Sequence, residues 1–248
     1  MSRNKQRNKE LSLTLVKGRL SLFLDEGAPM VLKNALRELG FAPILLPAYP
    51  KLPPPVAAHA DLLLHDLGGK LLVYRAYYEE HKALFEGFAV LLTDHAAGDT
   101  YPMDIGMDAL CLGNRLFCMP NDTCPEILAG RQVVPVKQGY AACACLKVTE
   151  DAIVTSDHGI AKAAERVGVD VLRISAGNID LPGYDCGFIG GTAFLHEDTL
   201  YFAGDLWTHP DGNAIADFCM RHGVKVHSLV EGMKLRDLGF LKANTTNG

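Results

Sequence analysis

The chain of 248 residues is 48% hydrophobic and carries a formal net charge of −5, with a pI near 6.0. A chain of this size buries a substantial core, and its acidic balance gives no electrostatic case for binding a phosphate backbone. Mean hydropathy is only +0.09, and no apolar run approaches the roughly 20 residues needed to cross a bilayer, so neither nucleic acid nor membrane is expected as a partner.

Residues 1–10 are polar and basic, with Arg3, Lys5, Arg7 and Lys9 and no apolar stretch behind them. They read as a flexible terminus rather than a secretory signal, and residues 11–248 as a single domain. Leu11, Leu13 and Leu15 alternate as a half-buried strand does; Lys17-Gly18 turns the chain into a second strand at 20–24. Pro29 then stands near the first turn of a helix. Val31, Leu32, Leu36 and Leu39 follow at helical spacing, Gly40 closes the helix, and 41–46 is the next strand. The five prolines of residues 47–55 mark a loop.

From there one pattern recurs about every 40 to 50 residues: strand, tight turn, strand, helix or loop, strand. Its hairpins run from 61–64 to 71–74 around Gly68-Gly69, and from 109–112 to 116–118 around Gly113-Asn114. Two more run from 145–148 to 153–155 around Glu150-Asp151, and from 193–195 to 200–202 around Glu197-Asp198. Glycine or polar pairs between apolar runs are the short-range hairpin signal. Each unit ends in a further apolar run, at 88–92, 132–136, 169–174 and 224–229. The spacing predicts a helix over 159–167 behind Asp157, and another after Pro210-Asp211 with Ile215, Phe218 and Cys219 inward. The unit around Pro125 has room for at most two helical turns. Residues 235–241 look like one more opening strand without partners. Pairing with the N-terminal strands would complete a fifth unit and close a ring that has no free sheet edge.

The seven cysteines follow no framework spacing and include no C-x-x-C, which favours reduced thiols in a cytoplasm. Cys143-Ala144-Cys145 is too close to form one arm of a usual zinc site, and no metal or cofactor is expected. Asp157-His158-Gly159 and His209-Pro210-Asp211 read as helix starts. Gly190-Gly191 precedes a strand and no lysine follows it, so it does not make a phosphate loop.

Five such units resemble the pentein, or guanidine-modifying-enzyme, superfamily, and within it an uncharacterised, mainly bacterial family. The segments that carry the likeness are Lys137-Gln138-Gly139-Tyr140-Ala141-Ala142-Cys143 and Thr155-Ser156-Asp157-His158-Gly159-Ile160-Ala161. Pro182-Gly183-Tyr184-Asp185-Cys186-Gly187-Phe188-Ile189-Gly190-Gly191 and Gly204-Asp205-Leu206-Trp207-Thr208-His209-Pro210-Asp211 extend it. The resemblance implies an α/β fold, a five-bladed α/β propeller of strand-strand-helix-strand units. In the catalytic members a cysteine attacks the guanidinium carbon, a histidine shuttles protons, and carboxylates hold the cation. By this resemblance His59-Ala60-Asp61 matches the H-x-D pattern that opens one unit. Cys143, just ahead of an opening strand two units later, matches the nucleophile.

The roles so implied are Cys143 as nucleophile, His59 as acid/base and Asp61 as an orienting or substrate-binding carboxylate, with a protonated His59 lowering the pKa of the thiol. The acidic E-G-G-D pattern is not intact: Ile189-Gly190-Gly191-Thr192 keeps the glycines without the acids, and the order of motifs is permuted. Asp104, Asp108, Asp205 and Asp237, near unit openings or hairpin ends, are candidate substitutes for binding the substrate. Two readings stay open. One is a cofactor-independent hydrolase or transferase acting on a cationic guanidino or amidino small molecule. The other is a non-catalytic pentein that binds a small molecule or a macromolecular partner through the face of the ring.

Overall fold

A computed structural model describes residues 21–243. Unit one holds β1 (Ser21–Asp25), α1 (Met30–Glu38) and β2 (Ala42–Leu46). Unit two holds α2 (Ala60–Leu63), β3 (Leu64–Asp66), β4 (Leu71–Tyr74), α3 (Arg75–Glu80) and β5 (Val90–Thr93). Unit three is β6 (Leu110–Leu112), β7 (Arg115–Cys118), α4 (Pro125–Leu128) and β8 (Gln132–Pro135). Unit four is β9 (Cys145–Thr149), β10 (Ala152–Thr155), α5 (His158–Arg166) and β11 (Asp170–Arg173). Unit five is β12 (Ala193–His196), β13 (Thr199–Phe202), α6 (Gly212–Arg221) and β14 (Lys225–Ser228), and the described chain ends in β15 (Leu241–Ala243).

These strands make five three-stranded sheets of one design. In units two to five the first strand runs antiparallel to the second, and the second parallel to the third. Unit one follows the same rule once β15 takes the first place: β15 is antiparallel to β1, and β1 is parallel to β2. A parallel return needs a crossover, which the outer helices and loops provide. The opening strands β15, β3, β6, β9 and β12 sit beside one another, β3 against β15, β6 against β9, and β12 against both β9 and β15. His65 on β3 reaches Cys111 on β6, which completes the circuit. The result is a five-bladed α/β arrangement sealed by the two ends of the described chain.

Local chemistry explains the elements. Asp157 caps α5, its Oδ1 accepting from Ile160 N at 2.7 Å, and Ile160, Ala161 and Ala164 face inward. In α6 the buried residues are Gly212, Ile215, Phe218 and Cys219, as helical spacing requires. Phe23, Leu64, Leu72, Tyr77 and Leu116 belong to one apolar cluster across units one to three. Phe202, Ile215 and Leu146 anchor another between units four and five. Among the described residues no helix is long and apolar enough to cross a membrane.

Two expectations need correction. Residues 61–63 form the helical turn α2 rather than a strand, with His59 C=O accepting from Leu62 N and Leu63 N at 3.2 Å each; β3 begins only at Leu64. A short apolar run such as Leu62-Leu63-Leu64 has no period that separates the two. The closing strand is Leu241–Ala243, not 235–241; of that segment only Leu241 pairs with β1, opposite Phe23, while Arg236 bridges Asp180. The residues before it carry the buried Asp237 and turn at Gly239, whose φ of +54 lies in the left-handed region. The flexible terminus at 1–10, the strand at 11–15 and the Lys17-Gly18 turn lie outside the described residues.

Candidate active site

The site is built where units two, three, four and the last loop meet. Residues 141–144 form a turn directly before β9, and this turn carries Cys143, 4% exposed. Asp108, two residues ahead of β6, holds the turn in place. Its Oδ1 accepts from Ala142 N at 2.6 Å and Cys143 N at 3.4 Å, while its Oδ2 accepts from Cys143 Sγ at 2.7 Å. Asp61, in the first turn of α2, lies on the other side of the sulfur, with Oδ2 2.9 Å from Sγ. Its Oδ1 is buried with no hydrogen-bond partner.

Asp237 arrives from the loop ahead of β15. Its Oδ2 accepts from Phe188 N at 2.9 Å and its Oδ1 from Gly239 N at 3.3 Å. His59 Nδ1 is 3.9 Å from Asp237 Oδ1, and both residues are 2% exposed. The Gly190-Gly191 pair explains how these pieces fit. A Cβ on Gly191 would overlap Asp237 Oδ1, and one on Gly190 would collide with the carbonyls of Ala142, Cys143 and Cys145. The glycines of a motif that lacks its acids thus make room for a carboxylate delivered from another segment.

His59, Cys143 and Asp237 line one cavity of about 180 Å³ together with Tyr140, Tyr184 and Phe188. The Tyr140 and Phe188 rings lie 5.9 Å apart. The Tyr140 hydroxyl donates to Asp104 Oδ2, so Asp104, 1% exposed, supports the aromatic wall. Asp205 is placed elsewhere. Its oxygens accept from Trp207 N, Ser228 Oγ and Gly232 N, and it lines neither this cavity nor the larger one behind it. Proximity to a unit opening, the only signal it had, does not tell an inward carboxylate from one that caps a turn.

Electrostatics separates this centre from an ordinary Cys-His pair. Among the described residues no lysine or arginine hydrogen-bonds Asp61, Asp108 or Asp237. Burial, and then the neighbouring charge of Asp108, raises the carboxyl of Asp61. Burial likewise raises Asp108 against the hydrogen bonds it accepts, and it raises Asp237 to about 7. Burial pushes His59 down to about 4, helped by the charge of Arg236. The Cys143 thiol is pushed well above its usual range by burial and then by the charges of Asp108 and Asp61. The expected lowering of this thiol by a protonated His59 is therefore not found: its immediate partners are acids, and His59 is neutral. At rest the arrangement is a protonated thiol, a neutral imidazole and carboxyls that hold protons near neutrality. A cation in the cavity would bring the carboxyls and the thiol back down while holding His59 neutral. Asp61, Asp108 and Cys143 also present donor atoms within 4.8 Å of one another, a spacing that can hold a metal ion.

The structure brings together Cys143, His59, Asp61, Asp108 and Asp237 of the residues named from the sequence. Sequence reasoning did not find Leu181, Tyr184 or Phe188 as lining residues, because nothing in their spacing marks residues of an irregular loop as facing inward.

No curated protein matches the chain. A dimethylarginine dimethylaminohydrolase from Pseudomonas aeruginosa, solved as a cysteine-to-serine variant with citrulline, is similar in structure with a TM-score of 0.53 at 9% identity. The match covers 86% of this chain and 93% of that one. The inosamine-phosphate amidinotransferase of Streptomyces griseus is similar with a TM-score of 0.50 at 16% identity, over 88% of this chain and 79% of that one. At these identities the likeness carries the fold alone, and the fold is that of the penteins. Residues 23–241 match the family of unknown function DUF6873, so the chain belongs to that family and has the pentein fold.

Proposed function

We propose that this protein is a cysteine-dependent hydrolase or transferase acting on a guanidino or amidino small molecule. The observation that carries this reading is a buried thiol in contact with two carboxylates, beside a cavity lined by a third, Asp237, and among the described residues no lysine or arginine hydrogen-bonds any of the three. Isolated buried carboxylates are costly unless paired, and a planar guanidinium offers N–H donors in the fork that carboxylates accept. The fold, shared with a dimethylarginine dimethylaminohydrolase and an amidinotransferase, points the same way.

In this mechanism Asp61, Asp108 and Asp237 bind the cation, with its planar group against the aromatic wall of Tyr140 and Phe188. The positive charge lowers the thiol pKa. Cys143 Sγ attacks the central carbon as its proton passes to the carboxylate it already touches. The C–N bond to the departing amine breaks, and that amine leaves with a proton delivered through His59. Water, or an acceptor amine in a transferase, then attacks the thioether-linked carbon while His59 takes its proton. Cys143 is released as the thiolate and regains a proton.

The raised pKa of the free thiol favours a second reading, a cation-binding pentein without chemistry. A panel of guanidino compounds, assayed for released amine and ureido product, separates the two. The enzyme reading expects turnover that Cys143→Ser abolishes while ligand-induced thermal stabilisation persists. Stabilisation of both proteins without product from either supports binding alone. The absence of stabilisation by any guanidino ligand rejects both readings.

A further inference from the structure

A second thiol lies on the axis of the ring, away from the cavity of Cys143. Cys111 stands in the middle of β6, half-buried, with Sγ 3.5 Å from Nε2 of His65 on β3. The other ring nitrogen, Nδ1, is 3.0 Å from Met107 O. A carbonyl only accepts, so Nδ1 carries the hydrogen and Nε2 presents its lone pair to the thiol. Nucleophile, base and a third group that orients the base are thus in hydrogen-bond sequence, the geometry that activates a side chain for attack.

Both residues line a cavity of about 430 Å³, whose walls include Leu64, Leu110, Phe194 and Phe240. Its rim holds charges of both signs. Lys147 donates to Cys111 O at 3.0 Å and to Glu150 Oε1 at 2.7 Å. Asp66 accepts from Gly68 N and Gly69 N. Lys242 lines the same cavity, half-buried, and among the described residues nothing accepts a hydrogen bond from its ammonium group. Such a rim suits a ligand with an amino-acid end, its carboxylate on Lys242 and its ammonium toward Asp66 or Glu150.

We propose that Cys111 and His65 form a base-assisted thiol site that exchanges with small disulfides bearing an amino-acid end. Cys111 Sγ attacks one sulfur of the disulfide while its proton moves to His65 Nε2. The S–S bond breaks, and the departing thiolate takes that proton. The products are a mixed disulfide on Cys111 and one small free thiol, with no further oxidant. Burial raises the Cys111 thiol and lowers His65 to about 4, so both are neutral at rest and the proton moves only with the attack. The bound adduct fills a cavity that Asp61 also lines, which puts it directly behind the acids of the Cys143 site.

The full-length protein is incubated with oxidised glutathione, and adducts are followed by peptide mass spectrometry at Cys111, Cys143 and the exposed Cys186. His65→Gln should slow modification of Cys111 at least about tenfold, toward the low end for a general base because buried His65 is a weak one, and leave Cys186 unchanged. A Cys111 rate within twofold of wild type overturns the proposal. If the variant does not fold, the wild type decides through its preference between oxidised glutathione and uncharged 2-hydroxyethyl disulfide. The ratio of the two rates should be several-fold higher at Cys111 than at Cys186, and Lys242→Gln should remove the excess. Equal ratios at the two cysteines overturn the proposal.

Discussion

Asp61 shows how a residue built for a ligand weakens the empty protein. Its Oδ1 has no partner, and its carboxyl is held above the ordinary range, as are those of Asp108 and Asp237. A carboxyl with a higher pKa in the folded chain keeps its proton where the unfolded chain has already lost it. Stability from this cluster is therefore complete below about pH 4 and falls as the pH rises through the window from about 4 to 7. Asp61→Asn removes the charge and keeps an acceptor for Cys143 Sγ. The variant should match the wild type near pH 4 and gain on the order of 1–3 kcal/mol by pH 8, within the usual range for relieving an uncompensated buried charge. Thermal melts at the two pH values check this, and a loss of stability at pH 8 would mean that Asp61 already has a partner. The same substitution should weaken binding of any guanidino ligand.

At this scale the sequence was informative where residue type and position in a repeated unit coincided. His59 and Cys143 were legible because each opens a unit in a motif. Asp237 was legible only as one of several acids, and its neighbour Gly191 shows why. The contact spans 46 positions (237 − 191), and local pattern carries no information about it. Asp205 had the same local signature as Asp108, yet it caps a turn. The direction of the Cys143 shift was misjudged because it depends on which charges surround the sulfur, a property of the assembled ring.

Among the elements, the hairpins were the most legible, since glycine or polar pairs between apolar runs fix both turn and register. Unit three reads β6 to β7 around Gly113-Asn114 as the pattern required. Turn α2 and the last strand were misplaced by a few residues, in both cases where an apolar run lacks alternation. The 3-10 turn at Gly190–Thr192 is the most constrained of the short elements. Gly191→Ala places a methyl against Asp237 Oδ1 and forces the loop ahead of β15 outward. Overpacking of this kind costs roughly 1–3 kcal/mol, and here it also displaces Asp237 from His59. Chemical denaturation should show the loss, with guanidino binding weakened beyond what the stability change explains. Wild-type stability and binding in this variant would contradict the close packing.

For the whole molecule, closure of the ring is the main structural consequence of the sequence. β15 gives β1 its antiparallel neighbour and packs against β3 and β12. Removing residues 241–248 opens a sheet edge and uncovers Phe23, 0% exposed, and Phe240, 8% exposed. We expect the truncated chain to melt well below the full chain and to self-associate, because an unpaired edge beside apolar faces recruits other strands. Light scattering and differential scanning calorimetry test this. An unchanged melting temperature and a monomeric truncated chain would show that closure adds nothing.

The central claim is that three buried carboxylates recruit a planar cation to the sulfur of Cys143. Two alkylating agents of nearly equal size separate this from general thiol reactivity: 2-chloroacetamidine, which is cationic and amidino, and 2-chloroacetamide, its neutral counterpart. The rates at Cys143 are read by peptide mass spectrometry at pH 7.5. Charge-assisted hydrogen bonds of about 1.5–3 kcal/mol predict that the amidine alkylates Cys143 roughly tenfold to a hundredfold faster than the amide. That preference should be absent for free cysteine in solution and lost in Asp108→Asn. Equal rates for the two reagents at Cys143, or faster reaction with the neutral amide, would contradict the account.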